Sequence, residues 1–282
     1  GNSFSGMLLT NFSDPSFQKV FDGKAVAGLR GLYGWLPLKS HQARPWLVGN
    51  DPLTVALYSD PKPMDLASKR LLLKAIEHQT KTNPSVLWDL RGSENLGALF
   101  EPSLCDDFAA ILQNAKRDDG TQTYVVFILK VLQQSPPTSI LAAELKSVAA
   151  DSSRWERVRR HALEAWMVSA SAANVTDFLN QLSQGKLADP DDELTGILLN
   201  ELFPGALSPS EVMRHLHIPK STMLGMYQHF WAYSFPRKVS DTDLPYVLDE
   251  LAQRSDLQKH EWRSFHLSRM LAAVVARAIE VH

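Results

Sequence analysis

Apolar residues recur in one phase at three places along this chain. Tyr124, Ile128, Leu129 and Leu132 make the first set. Val158, Ala162, Leu163 and Trp166 make the second, and Leu194, Leu198, Leu199 and Leu202 the third. Positions spaced in this way fall on one stripe of a helix with about 3.6 residues per turn. Each set follows an acidic turn: Asp118-Asp119-Gly120, Asp151-Ser152-Ser153 and Asp189-Pro190-Asp191-Asp192. From residue 124 to 158 and from 158 to 194, the sets start 34 and 36 residues apart. A period in that range suits stacked helix pairs, in which one pair cannot bury its own apolar face and its neighbours must cover it. The pattern predicts an all-α fold, a HEAT-like helical-hairpin array (an α-solenoid) with an irregular N-terminal helical part.

Two segments follow from the same reading. Residues 1–62 are irregular, because Gly23, Gly28, Gly31, Gly34 and Gly49 are interleaved with Pro37, Pro45, Pro52 and Pro61. Short helices are predicted there over 16–21, 25–35 and 52–58, the last with Pro in its first turn. Residues 63–282 are predicted to form the helical-repeat region, packed continuously with that segment. It opens with an amphipathic helix from Asp65 carrying Leu66, Leu73, Ile76 and the Lys69 stem on one side, which Asn83-Pro84 ends. Asn174 or Thr176 is expected to cap the helix bearing Phe178, Leu179 and Leu182. Ser208-Pro209-Ser210-Glu211 is a strong helix start, followed by helices over 221–233, from Leu244, and over 260–279. The run 123–129 is β-branched enough to imitate a strand, but its phase fits the helical template and decides for helix.

Composition narrows the function classes. Hydrophobic content of 44% with 21% charged residues describes a globular chain, not a disordered one. A net charge of -2 argues against whole-chain attraction to nucleic acid or anionic membrane. The longest apolar runs, 124–129 and 270–276, are far below the ~20 residues that a bilayer span needs. The apolar run Met7-Leu8-Leu9 is too short for a secretory signal. The single Cys105 excludes an intrachain disulfide and fits a reducing, cytoplasmic setting; its neighbours Asp106 and Asp107 disfavour a reactive thiolate. The chain opens on Gly1 rather than Met, as expected of a fragment of a larger protein.

Candidate chemistry is sparse, and no cofactor or metal is expected. Gly23-Lys24 and Gly185-Lys186 lack the upstream Gly and the following Ser or Thr of a phosphate-binding loop. His260 and His266 are six apart, which on a regular helix turns them to different faces, so they cannot chelate together. No Gly-x-Ser-x-Gly element is present, and no catalytic residue is assigned. One cluster offers a binding patch: Arg154, Trp155, Arg157, Arg159 and Arg160. Guanidinium planes interleaved with an aromatic can grip phosphates or unstacked bases. A solvated outer face, or caps on a neighbour's carbonyls, is the plainer expectation for such a charge run.

Residues 189–251 carry a resemblance. Asp192-Glu193-Leu194-x-Gly196, Leu202-Phe203-Pro204, Leu207-Ser208-Pro209, Pro219-Lys220, Gly225-x-Tyr227-x-x-Phe230 and Asp243-Leu244-Pro245 resemble a segment of large bacterial NACHT-type STAND NTPases. In those proteins a helical-repeat region follows the ATPase module. Gly31-Leu32-Tyr33-Gly34-Trp35-Leu36 and Asp51-Pro52-Leu53 are similar to the stretch just after that module. The resemblance implies a non-catalytic interaction or sensor region of a signalling or defence NTPase, with a protein partner or the upstream ATPase module as its ligand. The ATPase motifs themselves are not in this sequence. A HEAT-like nucleic-acid-binding module is the alternative, disfavoured by the net charge.

Overall fold

The computed structural model describes residues 30–87, 95–221, 224–254 and 265–281. Every regular element among them is helical, and there is no strand among the described residues. No described helix is long and apolar enough to cross a membrane. The chain forms two compact units, Gly1–Leu145 and Lys146–His282.

The first unit holds helices α1 (Arg30–Lys39), α2 (Arg44–Asn50), α3 (Pro52–Tyr58), α4 (Leu66–Thr82), α5 (Cys105–Asn114) and α6 (Asp119–Gln134). Residue 62 lies in this unit, between α3 and α4. Helix α3 starts where Pro52 follows Asp51, whose carboxylate accepts the Thr54 N–H at 3.2 Å. Asp65 does the same for α4, accepting from Ser68 at 2.7 Å. Such caps satisfy N–H groups that have no partner inside the helix. Helix α4 buries Lys69, Leu72, Leu73 and Ile76 on one side. Lys69 Nζ reaches Glu101 Oε1 at 2.5 Å, so the stem is covered while the charge is paired. Helix α6 buries Tyr124 through Leu129 without a break. A helix apolar all round belongs at the centre of its unit, and α4, α5 and the 3-10 turn Leu96–Leu99 pack on it. The β-branched run 123–129 is therefore helical, as its phase requires. The helix expected over 16–21 lies outside the described residues. The helix expected over 25–35 is described from Arg30 and continues to Lys39.

Helix α7 (Ala142–Ala150) contains the division between the units. The second unit continues with α8 (Glu156–Met167), α9 (Ala172–Ser183), α10 (Glu193–Leu202) and α11 (Pro209–Met213). A composite helix α12 joins α-helical Met226–His229, π-helical Phe230–Ser234 and α-helical Phe235–Lys238. Helices α13 (Leu244–Gln253) and α14 (Phe265–Val281) complete the unit. All twelve positions of the apolar template are buried, with Leu163, Leu198 and Leu199 at 0% exposure.

Two helix starts differ from the sequence reading. Ser171, not Asn174 or Thr176, caps α9: its Oγ accepts the Asn174 N–H at 3.3 Å from an extended backbone. Helix α12 begins at Met226 rather than 221, because Gly225 is extended and its N–H donates to Gln228 Oε1 at 2.9 Å. The π turn carries the aromatic cluster of the unit, with Phe203 edge-on to Phe230 and Trp231 packed against Phe235. The start at Ser208 is as read: its Oγ accepts the Glu211 N–H while Glu211 reaches back to the Ser208 N–H, a reciprocal cap.

Candidate functional site

The arginine patch does not assemble as one surface. Arg154 and Arg159 are buried. Arg159 Nε donates to the Ala149 carbonyl at 3.0 Å, and its Nη2 donates to the Ala188 carbonyl. Arg154 lies 3.4 Å from the Asp151 carboxylate. Arg160 Nη1 pairs with Glu193 Oε1 at 3.3 Å. Arg157 is half-buried, and Trp155, at the N-terminal end of α8, is exposed. Burial and the neighbouring Arg160 push the Arg157 guanidinium below its ordinary value. Arg159 thus serves the C-terminal end of α7, where a cation meets the negative end of the dipole, as well as a loop carbonyl, and Arg154 serves the turn acid that follows α7.

A second polar cluster gathers instead at the start of α10. Asp189 caps that helix: its carboxylate accepts the N–H groups of Leu194 and Thr195 at 3.2 and 2.9 Å, and the Thr195 hydroxyl at 2.7 Å. That leaves Asp192 free of capping duty. Its backbone is left-handed, φ 58°, a conformation that aspartate visits more readily than most side chains. The turn carries its carboxylate fully inside, where it accepts the Lys220 backbone N–H at 2.9 Å and lies 2.6 Å from Lys220 Nζ and 3.2 Å from His217 Nε2. Burial by itself raises the Asp192 carboxyl, but the contacts from His217 and Lys220 outweigh it and hold it below the usual carboxylate range.

The next residue ties α10 to α12. Glu193 is buried, and its Oε2 accepts the Met226 N–H at 2.6 Å. Two glycines make the approach possible. A Cβ on Gly225 would stand 2.7 Å from Glu193 Oε2, and one on Gly196 would stand 2.1 Å from the Tyr227 nitrogen. Tyr227, wholly buried, donates its hydroxyl to the His215 carbonyl at 2.8 Å and accepts the His217 N–H at 2.8 Å. Its ring lies 4.6 Å from the His217 imidazole. Asp192, Glu193, Gly196, Lys220, Gly225 and Tyr227 together form this lock.

Beside the lock is an open polar pocket of about 250 Å³, walled in part by Ser183, Asp192, Arg214, His215, His217 and Lys220. Ser183 and His215 touch there, Oγ to Nδ1 at 2.8 Å, and the serine hydroxyl also reaches the Leu179 carbonyl at 3.0 Å. Among the described residues no group of three or more His, Cys, Asp or Glu is placed to hold a metal. His260, which the sequence reading set on a different helix face from His266, lies outside the described residues. Cys105 is buried, and burial first, then Asp106, push its thiol up, which disfavours the thiolate. Sequence reasoning singled out neither the pocket nor the lock as sites. The available signal was the run of acids at 189–193 opposite Arg214, His215, His217 and Lys220.

Comparison with family models, with curated proteins and with solved structures finds no match.

Proposed function

We propose that this chain is a non-catalytic, HEAT-like helical-repeat interaction region of a larger bacterial NACHT-type signalling or defence NTPase. It works in the cytoplasm and binds a protein or other trigger ligand, or the upstream ATPase module. The observation that carries the reading is the convergence of the resemblance residues. Asp192, Glu193 and Gly196 meet Lys220, Gly225 and Tyr227 where α10 packs on α12 and the loop before it, although residues 197–219 separate the two groups in sequence. Burial of all twelve template positions supports the repeat reading, since a repeat array needs its apolar stripes covered. The inward turn of Arg154 and Arg159 weakens the nucleic-acid alternative, because those guanidiniums serve carbonyls and turn acids instead of an outside groove.

Two measurements test the proposal. Sequencing the gene upstream should find, in the same frame, a loop of the form Gly-x-x-x-x-Gly-Lys-Ser/Thr; a frame that closes without one overturns the NTPase assignment. A phosphate-release assay with ATP should give no turnover by this chain alone. Sustained hydrolysis would overturn the non-catalytic half of the reading.

A further inference from the structure

We propose that the pocket between the end of α9 and the loop 214–220 binds a phosphate-type oxyanion, either free phosphate or the phosphoryl end of a small phosphomonoester. The loop 214–220 brings its cationic side chains to it. Arg214 is exposed at the pocket wall, and its Nε makes a long 3.4 Å contact with the Ser210 carbonyl, which leaves both Nη groups for a bidentate partner. Lys220 Nζ donates to the Asp189 carbonyl at 2.9 Å and pairs with Asp192 Oδ1 at 2.6 Å, and its exposed side chain forms part of the pocket wall. His215 forms a further wall, with Nδ1 on Ser183 and Nε2 not used by that contact.

The acids nearby are already committed. Asp192 faces Lys220 and His217, and Glu211 accepts from the N–H and hydroxyl of Ser208 at 2.8 and 2.7 Å. Among the described residues Arg214 makes no ion pair within 4 Å; its charge acts on Glu211, three residues back, without a direct contact. The potential it leaves is visible at its neighbour: burial first, then Arg214 and His217, hold the His215 imidazole below its ordinary value. A volume of about 250 Å³ admits a phosphate with a small substituent and is too small to enclose a nucleotide. The inference is independent of the NTPase assignment and stands or falls with the pocket alone.

Calorimetry tests it, with inorganic phosphate and methyl phosphate titrated separately into the whole chain in chloride of matched ionic strength. Saturable binding of one or both is expected. Equal affinities assign the site to a phosphomonoester, and binding of phosphate alone assigns it to the free anion. Arg214→Gln should weaken binding roughly tenfold or more, as loss of a charge-assisted bidentate contact does. Its urea midpoint, measured in parallel, should be unchanged because the side chain is exposed. The His215 imidazole proton resonances should shift on addition of phosphate to the wild type and stay still in the variant. Heats no larger than chloride dilution overturn the proposal, and so does binding of equal strength in Arg214→Gln.

Discussion

Gly196→Ala is the sharpest perturbation of the lock. An added Cβ would fall 2.1 Å from the Tyr227 nitrogen, 2.3 Å from the Met226 carbonyl carbon and 2.5 Å from the Tyr227 Cα. All three are backbone atoms, so no side chain can swing aside. Ordinary contact needs about 3.4 Å, so α10 and α12 must part by roughly 1 Å. A gap of that size forfeits a quarter to a half of the dispersion energy at each separated contact. Overpacking of a dense core costs about 1–3 kcal/mol, and a backbone-on-backbone clash belongs at the upper end. The 2.6 Å bond from Met226 to Glu193 lies in the same contact and stretches with it. Against this, Ala is favoured over Gly inside a helix by roughly 1 kcal/mol. The net expectation is a loss of about 2 kcal/mol. Urea unfolding followed by tryptophan fluorescence should show it, since Trp166 and Trp231 are buried in this unit. With a slope of about 2 kcal/mol per molar, the midpoint should fall by about 1 M. Gly49→Ala is the control: it is helical and exposed, with nothing within 4 Å of the added carbon, and should be neutral or mildly stabilising. A Gly196→Ala midpoint equal to or above wild type would refute the close approach.

Two further outcomes follow from the packing and the charges. Leu163→Ala should cost roughly 2–5 kcal/mol in the same urea assay, because Leu163 is wholly buried and its removal opens a cavity; a loss under about 1 kcal/mol would contradict its place in the core. Asp192 has a folded value below the ordinary carboxyl range, so its contribution is fully present at neutral pH, begins to fall as pH drops past the unfolded value near about 4, and is gone below the folded value. Asp192→Asn should accordingly be less stable than wild type at pH 7, with the gap narrowing towards pH 2; a pH-independent gap, measured by urea midpoints across that range, would count against the ionic role.

The helical class was legible because it depends on local periodicity. The stripe through Tyr124, Leu163 and Leu198 repeats with the helix, and any packing that covers it must bury those residues. The starts at Pro52 and Ser208 were legible for the same reason: a cap and its N–H partner are three residues apart, within one turn. The arginine run 154–160 was legible as charge but not as direction. Whether Arg159 faces solvent or the Ala149 and Ala188 carbonyls depends on where another helix ends.

Asp192 marks the limit most clearly. Its sequence neighbours make it a turn acid and a natural helix cap, and Asp189 takes that duty instead. What Asp192 does is decided by His217 and Lys220, which local rules cannot bring within 3.2 Å of it. Gly196 and Gly225 read as ordinary glycines until α10 and α12 meet across them. The sequence by itself determined which residues must leave water, since hydrophobic period and caps act within a few residues. Only the tertiary structure decided which buried charges meet and where a pocket stays open, because those contacts join positions about thirty residues apart through the packing of whole helices.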